Sequence, residues 1–250
     1  MALQVKIQKQ LRFFNLEVSL TCAPGTLTAI VGPSGAGKST LIRIISGLDR
    51  PDSGTISFGD KYWNDCSMKL HVTPQDRKVS LVFQEYTLFP HLTVRQNIVF
   101  GAKNDNGIDE LLEQFGIIHV AHRKPASISG GERQRAAFCQ ALARDPVLLL
   151  LDEPFSALDR ATRELLRKKL SKLKQDLHIP IVHITHDLKE AHDLADNIYV
   201  MESGKASPQW LEQYAPYDAP PSVENLPRKT WQHPEAAVPK ITPLTCFNCL

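Results

Sequence analysis

The chain reads Leu27-Thr-Ala-Ile-Val31 and runs directly into Gly32-Pro33-Ser34-Gly35-Ala36-Gly37-Lys38-Ser39-Thr40. The first five residues make a short apolar run of strand length. Helical spacing of apolar residues follows from Lys38 to Gly47, a residue suited to ending a helix. Residues 32–39 match G-x-x-x-x-G-K-[ST] in full and stand where that motif must stand, after a strand and before a helix. Its glycines let consecutive backbone N–H groups turn inward around a phosphate, and the helix N-terminus adds a favourable dipole. In this reading residues 32–40 bind the nucleotide, Lys38 reaches the β- and γ-phosphates, and Ser39 offers a hydroxyl to Mg2+.

Outward from this unit, strand-like and helix-like runs alternate, which predicts an α/β fold with a parallel or mixed sheet. Residues 5–7 and 16–20 alternate as antiparallel edge strands do, forming an N-terminal β subdomain. The turn chemistry of Pro51-Asp-Ser-Gly54 introduces a strand at 55–58, and 79–83 reads as a buried strand. Residues 90–128 are polar and helix-prone, with breaks at Gly101, 104–107, Gly116 and Pro125. They predict a small helical insertion, about 88–145. Helix is expected from Glu132 to Arg144 and over 160–177, where Leu165, Leu166, Leu170, Leu173 and Leu177 lie on or near one face. Strands are expected at 147–151, 180–185 and 197–201.

Composition narrows the class. A chain of 250 residues with 42% hydrophobic content suffices for one large domain or two small ones. A net charge of +2, with both signs interleaved, leaves no electrostatic footprint for nucleic acid. No apolar run approaches the roughly 18–20 residues that span a bilayer. Met1-Ala-Leu-Gln-Val-Lys6 is neither a signal nor a transit peptide, so a cytoplasmic protein is expected. Cys22, Cys66 and Cys139 read as buried thiols. Cys246 and Cys249 form one C-x-x-C pair, too few ligands for a tetrahedral zinc site. Eight of the seventeen prolines fall in 208–250, which reads as an irregular tail over 206–250. His183 and His186, three apart on a strand, point to opposite faces and are not expected to share a metal.

Two further segments carry chemistry. Val147-Leu-Leu-Leu-Leu151-Asp152-Glu153-Pro154 sets two carboxylates at the C-terminal end of a buried strand, the edge where parallel sheets bind ligands. Asp152 is suited to Mg2+, and Glu153 to accepting a proton from an attacking water. Ser129-Gly130-Gly131-Glu132-Arg133-Gln134-Arg135 starts a helix, with Ser129 and Glu132 as a capping box. It is also a second anion-binding helix N-terminus. One domain needs one γ-phosphate cradle; a second is explained if it serves the ATP of another copy.

With these motifs in this order, residues 5–205 resemble the ATP-binding cassette family of transport ATPases. The resemblance implies a P-loop NTPase core and an ATPase domain over 1–205 that closes as a head-to-tail homodimer on ATP and Mg2+. It aligns Ile128-Ser129-Gly130-Gly131-Glu132 with the family signature, Gln84 with a residue sensing Mg2+ and the attacking water, and Asp159 with the loop crossing the dimer interface. It aligns His186 with a switch histidine on the γ-phosphate. The family position of an aromatic residue that stacks on adenine falls nearest Leu11 here, with Phe13 or Phe14 as the substitute. Leu88-Phe-Pro-His-Leu-Thr-Val-Arg-Gln-Asn-Ile98 resembles the bacterial importer class, in which the segment from Gln84 to Val94 receives a helix of an integral-membrane permease; Leu88, Phe89 and Val94 are the expected anchors. The protein is then peripheral on the cytoplasmic face of the membrane and linked only indirectly to a solute-binding protein. Residues 73–77 and 123–135 resemble molybdate/tungstate importer ATPases most; sulfate, iron and polyamine importers carry similar text. The 206–250 segment is too short for the regulatory oxyanion domain of the molybdate subclass, so feedback through it is not expected. A soluble cassette protein acting on DNA or ribosomes would carry coiled-coil insertions, tandem cassettes or basic patches. A P-loop GTPase would carry Asn-Lys-x-Asp. None is present.

Overall fold

A computed structural model describes residues 1–83, 88–156 and 158–207. Two sheets organise them. The first is antiparallel, in the order β2-β1-β4-β5-β6: β1 (Leu3–Gln10), β2 (Asn15–Cys22), β4 (Ser53–Phe58), β5 (Lys61–Asp65) and β6 (Leu70–His71). The second has the order β11-β10-β3-β9-β8-β7: β3 (Leu27–Val31), β7 (Val79–Val82), β8 (Leu148–Asp152), β9 (Ile181–Ile184), β10 (Asn197–Glu202) and β11 (Lys205–Ala206). All its pairings are parallel except β10 with β11.

Alternation on the parallel strands separates two cores. Ile30, Leu148, Leu150, Val182 and Ile184 join the antiparallel sheet and helix α1 (Lys38–Ser46), which contributes Leu41, Ile42, Ile44 and Ile45. Ala29, Val31, Leu149 and Leu151 face the opposite way, toward the remaining helices. These are α2 (Val94–Gly101), α3 (Ile108–Gln114), α4 (Gly130–Ala143), α5 (Arg160–Leu177) and α6 (Leu188–Leu194).

Several local expectations change. β1 is interior to its sheet, paired on both sides, and β2 is the edge. β5, β6 and β11 lack an alternating apolar pattern and were not expected. Leu165 is 44% exposed while Leu166 and Leu170 are buried: one residue is a rotation of about 100°, enough to leave the buried stripe. Cys66 is only half-buried, whereas burial pushes the Cys22 thiol up to about 12. Cys246, Cys249 and Gln84 lie outside the described residues.

Arg77 fixes the far end of α1. Its buried guanidinium donates to the carbonyls of Ile44 and Ile45, at 2.9 and 2.7 Å, and to those of Val72 (2.9 Å) and Trp63 (3.2 Å). Helix ends leave carbonyls without intrahelical partners, and a planar five-donor fork can serve several of them together. Burial pushes its pKa down to about 10.

Candidate active site

The strand order brings the sequence-predicted residues together. β9 lies between β3 and β8, so the loop after β3, the turn after β9 and the acidic end of β8 emerge side by side at one sheet edge. Gly32 takes φ 150 against a wall of backbone: a Cβ there would stand 1.9 Å from the Met201 carbonyl oxygen. Gly35 and Gly37 take positive φ, and a Cβ on Gly35 would meet nothing within 4 Å. The loop therefore opens toward the space a phosphate would take. Ser34 and Ser39 are exposed, Pro33 and Thr40 half-exposed, and Ala36 buried.

Lys38 folds back over its own loop, donating from Nζ to the Gly32 and Pro33 carbonyls at 2.8 Å each. Burial lowers its pKa, against the opposing pull of Glu153 and Asp152. Ser39 Oγ is 3.4 Å from Asp152 Oδ1. Asp152 is raised, first by burial and also by Glu153, while Ser39 and Lys38 pull it down. A hydroxyl beside a carboxylate fits a hard divalent cation, and inward-turned N–H groups fit phosphate.

Glu153 has φ 47, the left-handed region that side chains avoid, at a typical cost of about 1–3 kcal/mol. Three hydrogen bonds hold it: its N–H donates to Ile184, and its carbonyl accepts from the Ser156 N–H and hydroxyl. This turn points its carboxylate at His186, 3.3 Å from Oε2 to Nδ1. The His186 side chain is 61% exposed. β9 ends at Ile184, so His186 stands on the following turn and not on the strand. His183, within β9, is fully buried. The two histidines are thus separated, by the end of the strand as much as by alternation.

Ser129 caps α4 with the capping box complete. Its Oγ accepts from the Glu132 N–H at 3.2 Å, and Glu132 Oε2 accepts from the Ser129 N–H and hydroxyl at 2.8 Å each. These bonds, helped by His119 at 3.0 Å, lower the Glu132 pKa. A Cβ on Gly130 would meet nothing within 4 Å, and one on Gly131 would stand 3.1 Å from Thr162. Asp159 caps α5, accepting from the Thr162 N–H and hydroxyl. Buried Gln134 donates to the Pro154 carbonyl, tying α4 to the segment after Glu153. Phe14 packs on the phosphate loop and Gly204, while Phe13 is 83% exposed with the Arg12 guanidinium 5.1 Å above its ring.

A groove of about 520 Å³ lies beside β7, lined among others by Leu81, Phe83, Phe89, Phe100 and Arg144. Leu88 and Val94 are buried in the core and are not available as anchors; Val94 starts α2 and points inward. The exposed aromatics are Phe89 (37%) and Phe100 (69%), edge-on at 4.8 Å. Spacing alone missed Phe100, although an exposed aromatic on a capped helix was the available signal. Sequence reading also missed the ion pairs around His183, described below.

Comparison with known proteins fixes the class. A model of the ABC transporter family matches residues 16–156, more than half of the chain. The chain belongs to that family.

Among its relatives is the sulfate/thiosulfate import ATP-binding protein CysA of Synechococcus elongatus, 44% identical over 80% of this chain and 59% of the relative. CysA of Thermosynechococcus vestitus is 46% identical over 76% and 57%. CysA of Mycobacterium tuberculosis is 45% identical over 81% and 58%. The chain thus spans less than three fifths of the length of these relatives. A dimeric structure of the ATP-binding cassette MJ0796, in a post-hydrolysis state bound to ADP and Pi, superposes with a TM-score of 0.70. It is 29% identical, over 83% of this chain and 97% of that one. These relatives are named for sulfate and thiosulfate. The molybdate/tungstate expectation rested partly on residues 73–77, and it gives way. Arg77, which ends that stretch, holds α1. No helix among the described residues is long and apolar enough to cross a membrane.

Proposed function

We propose that this chain is the ATP-hydrolysing subunit of an importer for an oxyanion of the sulfate or thiosulfate class, working as a homodimer on the cytoplasmic face of a membrane. The observation that carries the ATPase reading is the convergence of Lys38, Ser39, Asp152, Glu153 and His186 on one sheet edge. The relatives' names carry the substrate class. The ATPase domain is 1–205 with a helical part of about 88–145, followed by the 206–250 tail.

In this reading the 32–40 loop binds the phosphates through backbone N–H groups, and Lys38 exchanges its two loop carbonyls for phosphate oxygens. Mg2+, held by Ser39 and Asp152 with Gln84 as a further ligand, would neutralise phosphate charge. Glu153 takes the proton of the attacking water, and His186, in contact with it, orients toward the γ-phosphate. The Ser129–Glu132 cap of a second copy, with Ser129 exposed, closes on the nucleotide from the other side, with Asp159 lining the interface. Phe13, exposed, offers the base the ring face opposite Arg12. The groove with Phe89 and Phe100 receives an amphipathic helix of the permease.

The test is size-exclusion chromatography of Glu153→Gln with and without ATP and Mg2+. A shift from monomer to dimer only with ATP, together with loss of turnover, is expected. Turnover at the wild-type rate would remove Glu153 as the base. Restoration of growth on sulfate in a strain lacking its own import ATPase tests the substrate class.

A further inference from the structure

Behind Glu153 and His186 lies a cluster of charged side chains that the reaction itself does not use. Fully buried His183 has Nε2 2.6 Å from Glu190 Oε1. Glu190 Oε2 accepts from Arg167 Nη2 at 3.1 Å, and the same Nη2 is 3.3 Å from Asp187 Oδ2. Arg163 approaches Asp187 at 3.9 Å and donates to the Leu158 carbonyl at 3.3 Å. Burial works to raise the Glu190 carboxyl, but His183 and Arg167 outweigh it and hold it low.

The cluster is an expensive way to fill a core. Among the described residues, His183 Nδ1, Arg163 Nε and Arg167 Nε are buried and find no hydrogen-bond partner. A partly satisfied polar network stabilises less than apolar packing of the same volume. Its placement supplies the reason. Arg163, Asp187 and Glu190 line the same small cavity, about 40 Å³, as Glu153 and His186. His186 is held from both sides. Upstream, β9 is anchored through His183. Downstream, Asp187 bonds Arg167, caps α6 by accepting from the Glu190 N–H at 3.0 Å, and donates its own N–H to Thr185 Oγ1 at 3.1 Å. Both arginines stand on α5, the helix that Asp159 caps.

We propose that His183, Glu190 and Arg167 are positioning residues that hold the His186 turn against Glu153 and link it mechanically, through α5, to the Leu158–Asp159 segment. Movement of that segment then shifts His186 relative to Glu153 without any change at the phosphate loop. The kinetic form of the proposal rests on the ATPase reading above.

The test uses the full chain. Glu190→Gln keeps side-chain volume and removes the charge shared by His183 and Arg167. His183→Phe keeps a ring and removes the donor, whereas His183→Gln keeps an N–H donor. Misplacement of a reacting group by an ångström costs up to about a hundredfold. Glu190→Gln and His183→Phe are therefore expected to lower kcat by about tenfold or more, with ATP affinity and KM within about twofold, and His183→Gln to recover most of the loss. Unchanged kcat in both overturns the proposal. So does a loss of kcat matched by lost affinity and general unfolding, which marks a structural cluster. Hydrogen exchange gives a readout independent of activity. Glu190→Gln should raise exchange about tenfold or more at amides 158–163 and 185–187, leaving β3 and α1 unchanged. If the wild-type chain hydrolyses no ATP, the ATPase reading is what fails, and exchange decides alone: a localised rise supports the link, and an unchanged or uniform profile overturns it.

Discussion

Replacing Arg77 with alanine tests how the phosphate-loop helix is held. The guanidinium makes four hydrogen bonds to carbonyls, on three separate segments. Two of those carbonyls keep another partner when it is removed: Ile44 accepts from the Gly47 N–H, and Trp63 from the Val72 N–H. The Ile45 carbonyl loses the guanidinium in a buried setting and the Val72 carbonyl in a half-buried one, at about 1–3 kcal/mol each. The packing of Arg77 over the Trp63 ring, 5.8 Å to its centroid, is lost as well. A total of about 4 kcal/mol is expected, which for a domain of this size lowers Tm by roughly 12 °C. Arg77→Lys, with no planar fork, should recover less than half of that. Calorimetry or thermal circular dichroism measures it, and nucleotide titration below the transition should give unchanged ATP affinity, because the phosphate loop is at the other end of α1. A shift of less than about 2 °C would mean that the four bonds are incidental, and the account of α1 would be wrong.

Three other outcomes are expected. Ser129→Ala removes the α4 cap and should cost about 1 kcal/mol of stability by denaturant titration, while abolishing ATP-dependent dimer formation altogether. Phe89→Asp combined with Phe100→Asp should leave ATPase activity of the isolated chain intact and eliminate co-purification with the permease; retained co-purification would move the docking site elsewhere. Glu132 sets an acid dependence. Its folded pKa is depressed, so its contribution to stability is fully present above its unfolded value of about 4.3 and is lost as pH falls through the lower folded value. Glu132→Gln should therefore lower stability at pH 7 and flatten the stability–pH curve below about pH 4.3, so that the two curves converge in acid.

Legibility in the sequence followed the range of the forces involved. The 27–47 unit, the 148–152 strand with the carboxylates at its end, and the long helix α5 are specified by neighbours in the chain, and each lies within a residue or two of where periodicity put it. β5 and β6 depend on partners: Lys61-Tyr-Trp-Asn-Asp65 has no apolar alternation, and its pairing with β4 and β6 and the stacking of Trp63 on Phe58 make it a strand. The candidate anchors behaved likewise. Leu88 and Phe89 are adjacent and similarly apolar, yet one enters the core and the other lines the groove, a difference that no local pattern encodes. The His183 cluster was invisible because its members come from three elements, β9, α5 and α6, whose packing no local pattern encodes. Glycine told more: Gly32 is required by a carbonyl of β10, far along the chain.

That last contact has a consequence for biosynthesis. β3 finds its sheet partners only in β9 and β10, roughly 150–170 residues downstream. Pairing at such separation must overcome a large closure entropy before it is rewarded, which makes it a late event in folding. The phosphate loop leaves the ribosome early, but its back wall at Met201 is among the last parts of the fold to be synthesised. A nascent chain ending before β9 carries the whole nucleotide motif and β7 and β8, but neither of the strands that β3 pairs with. Competence to hold a phosphate is therefore acquired near the end of translation of the described fold, and arrives together with the His186 turn.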